Sequence, residues 1–195
     1  MTSNKLKAAA LQLFAEKGYE GTALSEIARM VGIKTPSIYA HFPSKEDLFL
    51  TIYREHASSE MRTIEKVLTE EKDKRTEEIL RTIFHELTNL NDHKEEKLFF
   101  KRAVLLPPNH LKEKMREEFA GFENRASEQL KDFFAKAINA GEIVPLKAED
   151  LVATFYCMLD GLLMESHYYD QDEYEKRRNS IWTIFWHGIL QHKNS

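Results

Sequence analysis

The sequence predicts an all-α protein, and two features of the chain support this. Apolar residues recur at spacings of three and four along almost every segment, as they do on one face of a helix. No segment shows the strict apolar and polar alternation or the short hairpin turn typical of β-structure. Since 42% of the 195 residues are hydrophobic and only seven are Gly and five Pro, the chain can form a sizeable core. We expect about nine helices.

The first three helices are short and closely spaced. The apolar stripe of the first helix ends at Gly18, and that of the second ends at Gly32. The third begins at the sequence "TPS", where we expect Thr35 to cap the helix and Pro36 to occupy its first turn. Pro43 ends this third helix after a few residues, because proline cannot continue it.

A longer fourth helix starts at Ser44, which forms a capping-box pattern with Asp47 three residues later, and extends to about residue 70. A stop at Pro107 and helical spacing elsewhere predict the remaining elements. These further helices are expected at about 75–90, 94–106, 110–140, 147–168 and 172–192.

Three short helices with a tight turn before the last are typical of a helix-turn-helix, which presents its last helix to the major groove of DNA. Helical geometry places Ile38 and Phe42 inward, which leaves small and hydroxyl-bearing side chains outside. Tyr39, His41 and Lys45 are then placed to contact phosphates, and the short side chains to contact bases. The net charge of −4 argues against indiscriminate binding to nucleic acid. These residues predict one selective interface, formed by Lys34, Thr35, Pro36, Ser37, Tyr39, His41 and Lys45.

The stretch "LKAAALQLFAEKGYEGTALSEIARMVGIKTPSIYAHFPSKEDLF" closely resembles the DNA-binding domain of TetR-type (tetracycline-repressor-like) transcriptional regulators. The resemblance implies the same DNA contacts and a phosphate contact by Lys45. Ala23 stands where members usually have a Thr or Ser that caps the second helix and touches a phosphate, so we expect Thr22 or Ser25 to take that role. The resemblance also implies two domains, a helix-turn-helix domain at 1–47 and a larger ligand-sensing and dimerisation domain at 48–195.

The last two helices are apolar around most of their circumference, so they are expected to bury two sides. A thick core within one chain is the alternative explanation. The resemblance implies instead a homodimer, held by a four-helix bundle, that binds palindromic DNA. The interface predicted on this basis consists of Leu151, Phe155, Leu159, Leu162, Ile181, Phe185 and Ile189.

The resemblance further implies an inducer pocket between about residues 75 and 170. Its candidate lining is apolar and adaptable, although helical spacing alone also fits plain core. Asp160 and Glu165 lie within an apolar helix and either face a cationic ligand or pair with Arg102 or Arg125. We therefore expect an unidentified hydrophobic or cationic small molecule. The candidate lining residues are Phe84, Phe99, Phe100, Met115, Phe119, Phe122, Phe155, Tyr156 and Met158.

Taken together, these features predict a ligand-responsive DNA-binding regulator, a repressor that a small-molecule inducer releases from a palindromic operator. A TetR-like activator, or a regulator that senses a protein, is the alternative. A helical enzyme or lipid-binding protein with a borrowed helix-turn-helix is a more remote one. No glycine-rich phosphate loop or nucleophile elbow is present and the histidines are scattered, so we expect no enzyme, metal or cofactor. The single cysteine, Cys157, and the absence of a long apolar run predict a cytoplasmic protein with no membrane partner.

Overall fold

The computed structural model describes residues 2–89 and 94–191, and this part of the chain contains eight α-helices and two short 3₁₀ helices. The 3₁₀ helices span Thr35–Ala40 and Asn109–Leu111. The only β pairing in the same residues is an isolated bridge between Ile143 and Leu190, so the all-α prediction is confirmed. The α-helices are α1 (Thr2–Lys17), α2 (Leu24–Val31), α3 (Lys45–Glu70), α4 (Thr76–Thr88), α5 (Lys94–Leu105), α6 (Lys112–Asn139), α7 (Ala148–Glu165) and α8 (Gln171–Ile189).

Local signals account for most of these helix ends. Gly32 has a φ of 75°, a left-handed conformation that glycine adopts without steric cost, and it ends α2 as predicted. At the start of α3 the capping box is present, since the Asp47 backbone N–H donates to Ser44 Oγ at 3.0 Å and this hydroxyl donates to Asp47 Oδ2 at 2.6 Å. The predicted helix ends at residues 90 and 192 lie outside the described residues.

The chain packs as two compact units that do not coincide with the predicted domains. One unit consists of Met1–Ser59 with Asn91–Gly121, and the other of Glu60–Leu90 with Phe122–Ser195. The first unit therefore includes the start of α3 and the whole of α5, because both pack against α1. A functional boundary after residue 47 remains a prediction.

The core of the first unit is a cluster of aromatic rings from α1, α3 and α5. Phe14 and Phe49 meet edge to face with their ring centroids 5.1 Å apart, and Phe49 meets Phe99 at 5.3 Å. Beside them Tyr53 stacks on Phe100 at 5.6 Å. Aromatic pairs at such distances contribute about 0.5–1.5 kcal/mol beyond the burial of their area. Helices α1 and α3 thus share one core with α5.

The core of the second unit is formed by α4, α6, α7 and α8. Phe84 on α4 contacts Trp182 on α8 at a ring-centroid distance of 5.3 Å and Phe155 on α7 at 6.4 Å. Phe155 in turn contacts Phe134 on α6 at 6.4 Å and Phe185 on α8 at 5.9 Å. The phenylalanine at 155 therefore lies at the centre of this unit. None of the helices in the described ranges is long and apolar enough to cross a bilayer.

Candidate nucleic-acid interface

The segment Thr35–Ala40, here called the recognition segment, follows α2 after a three-residue turn. It is a 3₁₀ helix, with the Ser37 N–H donating to the Lys34 carbonyl at 2.9 Å and the His41 N–H to the Ile38 carbonyl at 2.8 Å. Six residues are too few to offset the cost of starting an α-helix, and short segments commonly adopt the tighter form. The predicted short third helix is present, in this tighter form.

The recognition segment is anchored from below by two apolar side chains. Ile38 is fully buried and Phe42 is 6% exposed, as the helical geometry predicted. Pro36, Ser37 and Tyr39 are exposed on the outer side, with 54% of the Tyr39 surface accessible. The anchoring makes the outer face rigid, and the small residues there allow another molecule to approach the backbone closely.

The polar side chains on this outer face are not engaged within the protein. In the described residues, the side chains of Lys34, Tyr39 and His41 form no hydrogen bond or ion pair, and all three are exposed. Ser25, in the first turn of α2, is exposed as well, whereas Thr35 is half-buried. The Lys34 ammonium group, the His41 ring and the exposed hydroxyls are therefore free to contact the phosphates and base edges of a duplex.

Thr22 is not one of these contacts, which corrects the sequence prediction. Its side chain is 2% exposed, and its hydroxyl lies 2.8 Å from the Gly18 carbonyl and 3.1 Å from the Leu13 carbonyl. The single O–H of Thr22 donates to the nearer Gly18 carbonyl or is shared with the Leu13 carbonyl, so it is used at the C-terminal end of α1. This hydroxyl stabilises the turn between α1 and α2 and is not available to a phosphate.

The helix caps also differ from the prediction. Lys34, in an extended conformation, is the N-cap of the recognition segment, so Thr35 lies inside the helix and forms no cap. At α2 the cap residue is Ala23, whose N–H donates to Glu26 Oε2 at 3.4 Å. The hydrogen bond from Lys17 and then that from the Ala23 backbone hold the pKa of Glu26 below its usual value. Glu26 three residues after the cap is half of a capping box, a signal that the sequence already contained.

Lys45 has a structural role that the sequence did not reveal. Its Nζ donates to the Tyr19 carbonyl at 2.8 Å and to the Thr22 carbonyl at 3.1 Å, and lies 4.1 Å from the centre of the Tyr19 ring. An ammonium group has three donors, so one remains for a phosphate. Lys45 therefore fastens the turn between α1 and α2 to the start of α3, and its phosphate contact remains a prediction.

Arg102 on α5 is a second link to α1. Its Nη1 donates to the carbonyls of Glu16 at 2.9 Å and Ala15 at 3.4 Å, which are among the unsatisfied carbonyls at the end of α1. The guanidinium lies against Gly18, where an added Cβ would come within 3.0 Å of the Arg102 Nε. The predicted ion pair between this arginine and Asp160 or Glu165 is therefore wrong.

Comparison with known proteins agrees with this geometry. Residues 6–52 match the model of the tetR family of bacterial regulatory proteins. A TetR transcriptional regulator from Chloroflexus aurantiacus J-10-FL superimposes with a TM-score of 0.76 at 21% identity, over 98% of this chain and 97% of that one. The DNA-binding segment of this chain is therefore similar to that of the tetR family, and its fold is similar to that of a TetR regulator.

Two further comparisons indicate how far the likeness to known regulators extends. The IcaR negative transcriptional regulator of the biofilm operon icaADBC from Staphylococcus aureus (strain Newman) is 52% identical over 40 residues, which is 20% of this chain and 22% of IcaR. FadR from Bacillus subtilis in complex with stearoyl-CoA superimposes with a TM-score of 0.73 at 21% identity, over 95% of this chain and 98% of that one. The likeness to IcaR thus covers about a fifth of each chain, while the structural likeness to FadR shows the fold over most of the chain.

Most of the residues predicted for the dimer interface lie in the core of the protein's own second unit. Leu151, Phe155, Leu162, Phe185 and Ile189 are all between 0% and 7% exposed. The partly buried Leu159 and Ile181 pack against the same core. The prediction was based on the most apolar stripes of α7 and α8. These stripes are buried because they pack in one core with α4 and α6.

A different face of α7 and α8 is exposed, and it consists of small and apolar residues at intervals of four. Ile184 on α8 is 74% exposed, and Cys157 on α7 is exposed as well. Small residues allow close approach of a second helix. The exposed stripes are Ala153, Cys157 and Gly161 on α7, and Ser180, Ile184 and Gly188 on α8.

The predicted pocket residues are divided between the two units. Phe99, Phe100, Met115 and Phe119 belong to the first unit, and the other five candidates to the second. In the first unit the phenylalanines at 99 and 100 fill the aromatic core, and in the second Phe84 and Phe155 do so. Phe119, Phe122, Tyr156 and Met158 are only partly buried. Pocket lining by these four remains a prediction, whereas the fully buried members are core residues of their own units.

The two acidic residues of α7 have different environments. Glu165 pairs with Arg177 at 3.3 Å, so the expected pairing with Arg125 is wrong. Asp160 is exposed as a residue, yet protein atoms around its carboxyl raise its pKa by desolvation, and the nearby charges of Glu60 and Glu123 raise it further. This side of α7 is therefore electrostatically negative, in keeping with the cationic alternative for the ligand.

Proposed function

We propose that this protein is a transcriptional repressor that binds palindromic operator DNA as a homodimer and is released from it by a small-molecule ligand. The observation that supports DNA binding most directly is the recognition segment, with Ile38 and Phe42 buried below it and Ser37 and Tyr39 exposed on its outer side. A segment anchored in this way can enter a major groove without rearranging the core.

Different side chains of this interface contact different parts of the DNA, according to their chemistry. Lys34, Lys45, Tyr39 and His41 donate to phosphate oxygens, which fixes the position of the segment on the duplex. Ser37, and Thr35 where its hydroxyl reaches solvent, contact base edges, which selects the sequence. The remaining chain is acidic, as the overall charge of −4 indicates, and so it does not adhere to DNA on its own.

Dimerisation follows from the small number of bases that one recognition segment can contact. Two copies related by a two-fold axis contact successive major grooves, which lie roughly 34 Å apart on one side of the duplex. The exposed stripes on α7 and α8 are the surfaces proposed to meet across that axis, because they expose Ile184 and place Gly161 and Gly188 where helices can approach closely.

Repression and ligand response are proposed from the relatives. IcaR is by name a negative regulator, and the FadR structure is a complex with stearoyl-CoA. The identity to FadR is too low to transfer its ligand, so the ligand of this protein stays a hydrophobic or cationic small molecule of unknown identity. Release follows if the ligand binds more tightly to the conformation that does not fit DNA. A regulator of this kind acts in the cytoplasm, where its DNA is.

The proposal is tested by footprinting the purified protein on DNA flanking its own gene. We expect a protected site with two-fold symmetry and two half-sites on one face of the duplex. Tyr39→Ala should weaken protection, whereas Tyr168→Ala, at a tyrosine of the second unit that is 73% exposed, should not. Equal protection by both variants, or binding without symmetry or sequence preference, would contradict the proposal. Transcription that rises when the gene is deleted identifies a repressor, and transcription that falls identifies an activator.

A further inference from the structure

The second unit contains a groove of about 480 Å³ along one side of α4. Its lining residues recur at helical spacing, beginning with Lys74 in the turn that precedes the helix. The apolar side of α4 is buried in the core of the unit, so the groove occupies the polar side that remains. Volumes of roughly 300–1,000 Å³ are typical of small-molecule sites. The lining consists of Lys74, Glu78, Arg81, Thr82 and His85.

The charges in this groove are not balanced. Glu78 is neutralised by Arg75, which donates to it from the guanidinium at 2.8 Å and from the backbone N–H at 3.2 Å. Lys74 pairs with Glu71 at 2.9 Å. Arg81 forms no hydrogen bond or ion pair with any residue in the described ranges, and it is exposed. Among the residues that the structure describes, Arg81 is therefore a cation of the groove without a counter-ion.

A second guanidinium acts on the same groove from α8. Desolvation lowers the pKa of His85, and the positive charges of Arg178 and Arg81 lower it further, while Glu175 and Glu86 act in the opposite direction. Arg178 is 8% exposed and its Nη2 pairs with Glu175 at 2.5 Å. Its buried Nε–H has no acceptor among the residues that the structure describes. The histidine therefore lies in a positive field that the nearby carboxylates do not cancel.

We propose that this groove binds the oxyanion of a small molecule, a phosphate or a carboxylate. The planar guanidinium of Arg81 presents paired N–H groups that match two oxygens of such a group. A neutral His85 ring has one N–H to donate. Lys74 adds a third donor group at the other end of the groove. Because the chain as a whole is acidic, this positive groove is a local feature and not a property of the entire surface.

The proposed ligand class differs from the hydrophobic or cationic molecule that the sequence predicted. The groove begins in the turn between α3 and α4, where the Lys74 N–H donates to the Glu71 carbonyl at 2.8 Å. An anion bound there contacts the turn that precedes α4 and the exposed side of α4 itself. Binding of this anion does not depend on DNA binding, so the inference goes beyond the proposed function and can be tested without an operator.

The test is an NMR titration of the full-length protein with inorganic phosphate and, separately, with acetate, both at constant ionic strength. We expect saturable changes in the His85 ring and Arg81 side-chain signals, assigned with His85→Gln and Arg81→Gln. The pKa of His85 should rise in the presence of the bound anion, because a nearby negative charge favours the imidazolium form. Arg81→Gln should weaken binding about tenfold or more, since it removes a bidentate charged contact.

Arg125→Gln is the matched control, because Arg125 is also an exposed arginine of the second unit without a partner in the described residues. This variant should bind the anion as the wild type does. Tighter binding of phosphate than of acetate identifies a phosphorylated ligand, and the reverse identifies a carboxylate. Shifts that do not saturate with either anion, or equal losses in the Arg81 and Arg125 variants, would overturn the proposal. Circular dichroism of each variant confirms that it is folded.

Discussion

Replacing Lys45 with Met should weaken both the fold of the first unit and its binding to DNA, by separate physical effects. Methionine keeps most of the length and the apolar part of the side chain but removes the ammonium group. The variant therefore loses the two hydrogen bonds to the Tyr19 and Thr22 carbonyls and the contact with the Tyr19 ring. No other change in the turn between α1 and α2 is required.

The expected loss of stability can be worked out from these contacts. Each hydrogen bond from a charged donor contributes about 1.5–3 kcal/mol, and the lower value applies because Lys45 is only half-buried. The cation–π contact adds about 0.5–1 kcal/mol. Removing a cation from the first turn of α3 offsets about 0.3–1 kcal/mol of this loss of stability, since positive charge is unfavourable at a helix N-terminus. Because all contacts share one ammonium group, we expect the free energy of unfolding to fall by about 2–3 kcal/mol.

The assay combines urea unfolding, followed by circular dichroism, with DNA binding measured at several salt concentrations. If Lys45 also neutralises a phosphate, the slope of log K against log salt should decrease by about 0.9 for each subunit. Lys34→Met is the control, because Lys34 is exposed and has no partner within the described part of the chain. It should change the slope similarly and leave the free energy of unfolding unchanged. Equal unfolding free energies for the two variants would refute the assigned role of Lys45.

Substitutions at four other positions test the remaining assignments. Ile184→Glu should convert a dimer into a folded monomer in analytical ultracentrifugation, because it puts a charge on an exposed apolar position of α8; an unchanged dimer would exclude this face. Arg102→Ala should lower the free energy of unfolding by about 1.5–3 kcal/mol, and Arg102→Lys by less, since lysine retains one charged donor. Thr22→Val should lower the free energy of unfolding by about 1–2 kcal/mol and leave the DNA affinity of the folded protein unaltered. A lower DNA affinity of this variant would show that the Thr22 hydroxyl contacts a phosphate. Because the pKa of Asp160 is raised above 3.8, the folded state holds this proton more tightly, so stability falls as pH rises from 3.8 through the folded-state pKa. Asp160→Asn should remove this fall in the free energy of unfolding, measured by urea titration at several pH values. The same pH dependence in the variant and the wild type would contradict the role of Asp160.

The helix pattern could be predicted because its signals are local. The apolar spacing of Leu24–Val31, the glycine at position 32 and the pair Ser44 and Asp47 each specify an element through residues within one or two turns. The inward orientation of Ile38 and Phe42 follows from the same local geometry. These features do not depend on which distant segments they meet.

The errors concern contacts that are distant in sequence. Lys45 bonds to a carbonyl 26 residues away, and Arg102 to one 86 residues away, and neither has a local signal. In α7 and α8 apolar residues cover most of the circumference, so periodicity could not decide which side faces the chain's own core. The position of Phe155 between Phe84 and Phe134 decided it. The side that remains exposed consists of smaller residues, which a search for the most apolar stripe passes over.

The contacts of the first unit also determine how large a ligand effect on DNA binding can be. Phe99 packs against Phe14 and Phe49 of the DNA-binding helices, and Arg102 on the same helix bonds to the end of α1. A displacement of α5 must therefore either move α1 with it or break that charged hydrogen bond, which costs about 1.5–3 kcal/mol. A ligand that acts through α5 can shift the equilibrium only by its difference in affinity for the two states. A coupling of this size corresponds to a change in operator affinity of about 10- to 150-fold for each such link that is broken.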